Sequence, residues 1–209
     1  MPKFIKDWIA PILVAVALVL ASSLFVVNVS VDGPSMEPNL ADNQRVLAFK
    51  QAKISRGSVV VFDAREEDPG IRSGQKYYVK RVIGIPGDTV RSENGNLYVN
   101  DKLVNQDWIS EKQRNQGTKD WDFSDLQGDS SPFVTYNPET KTQVSWADDN
   151  ETKVPANNYF LLGDNREISE DSRYFGWVSK DHILGVVYSF PWSNNNDIVN
   201  NSWKTFFDK

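Results

Sequence analysis

Ser35 is a candidate nucleophile in the segment Gly33-Pro34-Ser35-Met36-Glu37-Pro38. Two prolines bracket it, and the residue before a proline disfavours helical backbone, so the segment is expected to be extended or turned. A serine hydroxyl becomes a nucleophile only when a neighbouring base accepts its proton. Taken alone, a short Ser/Pro segment is more typical of a linker turn.

Lys80 is a candidate base in the predicted strand from Tyr77 to Ile85. Alternation along a strand places its side chain on the face shared by Tyr78 and Val82, with Arg81 on the other. Burial disfavours the ammonium form and lowers the pKa of a lysine, and a neutral amine can take a proton from a serine. The alternative is a lysine that protects an edge strand.

A third polar segment runs from Gly163 to Arg173 and begins with the turn Gly-Asp-Asn. Its charges predict a local ion-pair network, with Asp171 and Arg173 as one pair. Read alone, it is also consistent with a rigid surface loop. The chain has a single histidine, His182, and no motif surrounds it.

Composition excludes several classes of protein. The chain has 209 residues and a net charge of -5, which argues against a nucleic-acid partner. It has no cysteine and one histidine, so disulfides, thiol nucleophiles and histidine-rich metal sites are ruled out. A Ser-His-Asp triad would have to use His182.

Residues 8–27 form an uncharged apolar stretch of 20 residues. As a helix it would measure roughly 30 Å, the thickness of a bilayer core, and it predicts a transmembrane anchor. A cleaved signal peptide would have a shorter apolar region, and a buried core helix would carry a polar stripe. Lys3 and Lys6 precede the stretch, so residues 1–7 are expected in the cytoplasm and residues 28–209 outside the cell membrane.

The remainder is predicted to be mainly β, because short runs rich in β-branched residues alternate with turns. Asn94-Gly95 is a strong hairpin signal, and Asn100-Asp101 makes a second turn. These patterns favour a coiled antiparallel, barrel-like sheet after one N-terminal transmembrane helix. The predicted strands are 29–31, 45–49, 58–62, 77–85, 89–91, 97–99, 102–104, 158–162 and 185–190.

Residues 105–150 differ from this pattern. They are polar and rich in turns, with aromatic residues scattered among them. We interpret them as a variable insertion on the β core. A hairpin around Asn137-Pro138 is the one local structure that their sequence predicts.

Taken in order, the apolar stretch and the three polar segments resemble the type I signal peptidases. The shared motifs are Ser-Met-x-Pro at 35–38, Lys-Arg-Val-x-Gly-x-Pro-Gly-Asp at 80–88 and Gly-Asp-Asn-Arg-x-x-Ser-x-Asp-Ser-Arg at 163–173. These enzymes are membrane-bound serine proteases with a Ser-Lys dyad. The resemblance does not extend usefully to residues 105–150.

The resemblance implies a role for each matching residue. Ser35 matches the nucleophile, Lys80 the general base and Ser169 the serine that orients the lysine amine, while Asp171 and Arg173 match a supporting pair. The segments beside the substrate correspond to Val31, Asp32, Gly33, Met36, Tyr78 and Val79. Gly33 stands where Gram-negative members have a serine that assists the oxyanion hole, as in many Gram-positive members.

The implied reaction removes signal peptides from secreted preproteins by cutting after a small-x-small sequence. It needs no cofactor and no metal, and its partners are signal peptides and membrane lipid. The sequence leaves two alternatives open: a peptidase dedicated to pilins or surface proteins, and a non-enzymatic anchored β domain, which would leave Lys80 unexplained. A cytosolic self-cleaving repressor is disfavoured, since nothing in the sequence resembles a DNA-binding helix pair and the apolar stretch is present.

Overall fold

The computed structural model describes residues 3–71, 74, 77–128, 130–137, 140–144, 146 and 150–207. The helices are α1 (Lys3–Ser23), α2 (Phe123–Leu126), α3 (Ser172–Phe175) and α4 (Asn196–Asn201). The strands are β1 (Val26–Ser30), β2 (Arg45–Phe49), β3 (Val59–Asp63), β4 (Tyr77–Gly84), β5 (Val90–Glu93), β6 (Asn96–Val99), β7 (Lys102–Leu103), β8 (Thr135–Asn137), β9 (Thr142–Val144), β10 (Asn158–Leu162), β11 (Val178–Ser179) and β12 (Ile183–Tyr188). Single 3₁₀ turns cover Pro34–Met36 and Lys180–His182, and a π turn covers Gln113–Gly117.

Seven strands form the main sheet, in the order β1-β2-β12-β3-β4-β10-β11, and all their pairings are antiparallel. The prediction of a mainly β, antiparallel fold is therefore confirmed. The sheet is open, with β1 and β11 at its two ends, so it curls without closing into a barrel. β5, β6 and β7 make a separate three-stranded sheet.

The turn residues explain where the smaller sheet reverses. Asn94 and Gly95 both have positive φ, at 50° and 76°, and connect β5 to β6 as predicted. Asn100 and Asp101 have φ of 51° and 62° and connect β6 to β7. Asparagine, aspartate and glycine tolerate this left-handed region better than other residues, so the local sequence determines both turns.

The N-terminal segment differs from its prediction. α1 ends at Ser23, and β1 begins at Val26, where Val26 and Val27 pair with Phe49 and Ala48 of β2. The expected boundary at residue 27 is therefore wrong, because the backbone of these valines belongs to the sheet. Across the described residues, no helix combines the length and the apolar character that crossing a membrane requires. Residues 1–2 of the predicted cytoplasmic end lie outside the described residues.

Residues 105–150 are more than a polar addition to the core. Their aromatic side chains join the largest apolar cluster, where they pack against Ile83 and Phe160 of the main sheet. The buried aromatic residues of this segment are Trp108, Trp121, Phe123, Phe133 and Trp146. The predicted hairpin is present as the β8–β9 pair, while residues 129, 138, 139, 145 and 147–149 lie outside the described part of the chain.

A second apolar cluster lies beneath the segment that carries Ser35. Val31 and Met36 pack there with Leu40 and with Val79 of β4, and all four side chains are buried. Because these residues flank Ser35 and Lys80 in sequence, their burial fixes the backbone on which both polar side chains stand.

Candidate active site

Ser35 lies on the 3₁₀ turn Pro34–Met36, directly after Gly33. Gly33 has φ of 83°, in the left-handed region that favours glycine, and its N–H donates a 2.8 Å hydrogen bond to Asp42 Oδ1. Proline is well suited to the first position of such a turn because its φ is already fixed. The sequence therefore produces a sharp turn that leaves the Ser35 side chain partly exposed.

Lys80 lies in the middle of β4, with only 3% of its surface exposed. Its Nζ donates a hydrogen bond of 2.8 Å to Ser35 Oγ, across 45 residues of sequence. The same Nζ is 4.9 Å from the centre of the Tyr78 ring, on the face that strand alternation predicts. A neutral amine in this position can accept the Ser35 proton directly.

The surroundings of Lys80 favour the neutral amine. Burial lowers its pKa from the usual 10.5 to about 8, and the positive charge of Arg173 acts in the same direction. The carboxylates of Asp171, Glu170 and Asp68 oppose this shift. At neutral pH, a fall of this size raises the neutral fraction of the amine roughly 300-fold.

The burial of Lys80 excludes the interpretation as a lysine that protects an edge strand. β4 pairs with β3 from Tyr77 to Arg81 on one side, and with β10 only from Arg81 to Gly84 on the other. An edge lysine would lie in solvent, whereas Lys80 and Arg81 are both buried in the interior of the sheet.

Asp171 and Arg173 form a buried ion pair beneath the site. Arg173 Nε donates to Asp171 Oδ1 at 2.9 Å, and the Gly163 N–H donates to Asp171 Oδ2 at 3.0 Å. Burial works against the Asp171 carboxylate, but the charge and hydrogen bonds of Arg173 outweigh it and hold the pKa below its usual range. Asp171 also caps the N-terminus of α3. The pair joins the end of β10 to α3 and is not in hydrogen-bond contact with Ser35.

Ser169 does not make the contact with Lys80 that its match to the family implies. Its hydroxyl is buried and has no hydrogen-bond partner among the described residues. It lies against Gly163, where an added Cβ would overlap the Ser169 side chain and come within 2.7 Å of the Ser35 carbonyl oxygen. Ser169 therefore lies next to the Ser35 backbone, with a hydroxyl that forms no hydrogen bond to a described residue.

The residues expected beside the substrate divide into two groups. Asp32 is exposed and Gly33 is partly exposed, so these two present surface next to Ser35. The other four, Val31, Met36, Tyr78 and Val79, are buried in the apolar clusters. In this structure they pack beneath Ser35 and Lys80.

Sequence reasoning missed a buried network on the opposite face of β4. Arg81 donates two hydrogen bonds to the Asp164 carboxylate, at 2.8 and 2.7 Å, and Asn39 Nδ2 donates to the same carboxylate at 2.9 Å. Burying an ion pair is favourable only when its hydrogen bonds are satisfied, as they are here. Asp164 lies in the Gly-Asp-Asn turn, and this motif is the sequence feature that could have indicated the network.

Asp68 and Tyr78 form a second contact that the sequence did not indicate. The Tyr78 hydroxyl donates to Asp68 Oδ2 at 2.8 Å, and the Gly70 N–H donates to Asp68 Oδ1 at 2.8 Å. This buried carboxylate therefore holds the ring that lies beside the Lys80 amine.

His182 is engaged elsewhere. Its Nδ1 lies 2.6 Å from Glu67 Oε1 and its Nε2 lies 3.3 Å from Glu66 Oε2. The hydrogen bond to Glu67 raises the pKa of His182. Over the described ranges, no group of three or more histidine or carboxylate side chains is arranged to hold a metal ion.

Comparison with known proteins gives consistent matches. The family model described as "Signal peptidase, peptidase S26" matches residues 5–192. Signal peptidase IB of Staphylococcus aureus strain COL is 35% identical over 192 residues, which is 90% of this chain and 89% of that protein. Signal peptidase I of Streptococcus pneumoniae serotype 4 is 36% identical over 199 residues, or 91% and 94% of the two chains. A crystal structure of a signal peptidase I from Enterococcus faecalis V583 is 28% identical, with a TM-score of 0.47 over 65% of this chain and 97% of that one.

Proposed function

Since this chain belongs to the signal peptidase family, peptidase S26, we propose that Ser35 is its nucleophile and Lys80 its general base. The observation that carries the proposal is the 2.8 Å hydrogen bond between Lys80 Nζ and Ser35 Oγ, made by a buried amine with a pKa of about 8. Both features are needed, because a serine becomes a nucleophile only beside a base and a lysine acts as a base only when its amine is neutral.

The reaction proceeds in two stages. Neutral Lys80 accepts the proton of Ser35 as Oγ attacks the carbonyl carbon of the scissile bond. The resulting ammonium then gives that proton to the departing amine, which leaves an acyl group on Ser35. Water attacks this ester with Lys80 again as the base. The bond from the acyl carbon to Oγ then breaks, Lys80 returns the proton to Oγ, and the peptide acid is released.

We propose that the substrate is the signal peptide of a secretory preprotein, bound as an added strand beside β4. β10 pairs only with the Arg81–Gly84 part of β4, so Val79 and Lys80 have no strand partner on that side among the described residues. An extended peptide can hydrogen-bond to such a free edge and bring its carbonyl to Ser35. Asp32 and Gly33 would line the opposite side of the peptide.

We also propose that α1 attaches the enzyme to lipid. Most of its described side chains are apolar and exposed, among them Leu13, Leu18 and Val19, each more than 60% exposed. A helix with this much apolar surface is stable only when lipid or protein covers it. Attachment would keep Ser35 near the membrane, where the end of a signal peptide emerges.

The test is cleavage of a preprotein with small residues at positions -1 and -3 before the cut. Ser35→Ala and Lys80→Ala are each expected to abolish cleavage while leaving the thermal unfolding of the β domain cooperative. Thr89→Ala is a suitable control, since Thr89 is partly exposed directly before β5 and its hydroxyl donates only a long, 3.4 Å hydrogen bond to Asn100 Oδ1. Substantial turnover by either dyad variant would refute the assignment.

A further inference from the structure

We propose that Gln113, in the segment for which the sequence suggested no function, is a positioning residue that acts on Ser35 through Asn165. The inference rests on the proposed role of Ser35 as nucleophile. It gives residues 105–150 a part in the reaction, because one glutamine side chain would connect this segment to the nucleophilic turn.

Asn165 holds the turn that carries Ser35 at two consecutive peptide groups. Its N–H donates to the Ser35 carbonyl oxygen at 3.0 Å, and its Nδ2 donates to the Pro34 carbonyl oxygen at 3.2 Å. The peptide groups before and after Ser35 are therefore both tied to the Gly-Asp-Asn turn. Lys80 is fixed separately by burial in β4, so these two bonds help set the distance between Nζ and Oγ.

Gln113 contacts two consecutive residues of the same turn. Its Oε1 accepts a hydrogen bond of 3.0 Å from the Arg166 N–H, and its Nε2 donates one of 3.2 Å to Asn165 Oδ1. Both polar atoms of the glutamine are thus used on the loop that holds Ser35.

The direction of this chain of hydrogen bonds is determined at both ends. A backbone N–H can only donate and a carbonyl oxygen can only accept, so the Arg166 N–H requires Gln113 Oε1 and the Pro34 oxygen requires Asn165 Nδ2. The remaining atoms, Gln113 Nε2 and Asn165 Oδ1, then face each other as donor and acceptor. Reversing either amide would place two like groups together at two contacts.

The segment around Gln113 is itself fixed by two buried arginines. Arg166 Nη1 donates to Gln106 Oε1 at 2.9 Å and to Thr118 Oγ1 at 3.0 Å. Arg173 Nη1 donates to the Gly117 carbonyl oxygen at 2.8 Å. Because the chain is held before and after Gln113, its amide is a rigid support for Asn165.

Loss of this support should affect catalysis more than binding. Within the described chain, the side-chain hydrogen bonds of Gln113 go to Asn165 and Arg166 and not to β4, so the affinity for an added strand should be preserved. Proton transfer from Ser35 to Lys80, in contrast, depends steeply on the distance and angle between their side chains. The expected signature is a lower kcat with an unchanged KM.

The test measures kcat, KM and the melting temperature of the full-length enzyme in detergent micelles, with a peptide that spans a small-x-small cleavage site. Gln113→Ala should lower kcat by about threefold to thirtyfold, the equivalent of one or two hydrogen bonds, and leave KM within about twofold. Gln113→Glu has the same shape but turns a second acceptor toward Asn165 Oδ1, so its kcat should be at least as low. The matched control is Gln127→Ala. Gln127 lies in the same segment as Gln113, and its Nε2 donates a hydrogen bond to the Glu151 carbonyl oxygen that the change removes.

Two results would overturn the inference. One is a kcat for Gln113→Ala no lower than that of Gln127→Ala, and the other is full activity of Gln113→Glu. Acetylation of Ser35 by p-nitrophenyl acetate, followed by mass spectrometry, separates this question from the identity of the substrate. If wild type is acetylated but does not cleave the peptide, the proposed substrate is contradicted. In that case, slower acetylation of Gln113→Ala than of wild type would still support the positioning role.

Discussion

In the proposed mechanism Lys80 must be neutral before it can accept the Ser35 proton, so the pH dependence of cleavage would report on the surroundings of its amine. Its pKa is lowered to about 8, chiefly by burial. We therefore expect kcat/KM to rise with pH, reach half of its maximum near pH 8 and fall about tenfold per unit below that. Rates measured from pH 6 to 10 on a peptide substrate give this value directly. A profile that is flat across this range would exclude Lys80 as the base.

The sign of one electrostatic contribution can be tested in the same assay. The Asp68 carboxylate stabilises the Lys80 ammonium and so raises its pKa against the larger effect of burial. Asp68→Asn should move the acidic limb of the profile to lower pH while leaving an acceptor for the Tyr78 hydroxyl. Asp63→Asn is the control, because Asp63 lies at the end of β3 and pairs with Arg65. Identical apparent pKa values for the two variants would contradict this assignment.

Ser169 and Ser172 are expected to give opposite results when changed to alanine. The Ser169 hydroxyl has no partner within the described chain, so removing it should leave the melting temperature unchanged or raise it. If it orients the Lys80 amine during the reaction, kcat/KM should nevertheless fall roughly threefold to a few hundredfold. Equal activity of Ser169→Ala and wild type would show that this hydroxyl has no part in catalysis.

Ser172 is the residue compared with Ser169, but changing it is expected to affect the stability of the fold. Its Oγ accepts a 2.9 Å hydrogen bond from the Leu161 N–H, and both groups are buried. Ser172→Ala should therefore lower the free energy of unfolding by about 1–3 kcal/mol with little change in kcat. Chemical denaturation alongside kinetics distinguishes the two serines.

At the scale of an element, the residue that follows β10, Gly163, lies very close to the turn that carries Ser35. A Cβ at Gly163 would overlap Ser169 and lie 2.7 Å from the Ser35 carbonyl oxygen, which is backbone and cannot rotate away. Gly163→Ala should consequently displace Ser35 from Lys80 and reduce activity by more than tenfold. Gly128→Ala is the control, since a Cβ there meets no atom within 4 Å and only the strain of its positive φ remains. Comparable activity of both variants would contradict the close approach.

At the scale of the whole molecule, α1 and the sheet can be separated at one place in the chain. Removing residues 1–24 deletes α1 but keeps β1, whereas removing residues 1–27 also takes Val26 and Val27 from their pairing with β2. The shorter deletion should fold and cleave a soluble peptide, but it should lose rate on a membrane-inserted preprotein and no longer bind lipid vesicles. The longer deletion should in addition have a lower melting temperature.

Full activity of the 25–209 fragment on the membrane-inserted preprotein would show that α1 is not needed for positioning. Equal melting temperatures of the two fragments would show that the first two residues of β1 contribute little to the sheet.

Much of the fold could be predicted from local sequence. The strand patterns predicted six of the seven strands of the main sheet to within a few residues but missed β11. Asn94-Gly95 predicted a hairpin, because β propensity and positive φ are properties of short segments. The strand prediction also placed Lys80 and Arg81 on opposite faces, since alternation follows directly from strand geometry. The end of the N-terminal helix was mispredicted because Val26 and Val27 suit both an apolar helix and a strand, and only their pairing with β2 decides between them.

The motifs of the sequence determined which residues should meet, and the tertiary structure decided how. Ser35 and Lys80 were identified by type and order, but their 2.8 Å contact requires β4 to lie inside the sheet, which depends on long-range pairing. The same pairing buries Lys80, and burial is what lowers its pKa. No local pattern could reveal that Gln113 reaches Asn165 across 52 residues or that the Ser169 hydroxyl is left without a partner. A hydrogen bond depends on distance and angle in three dimensions, and these are properties of the packed chain alone.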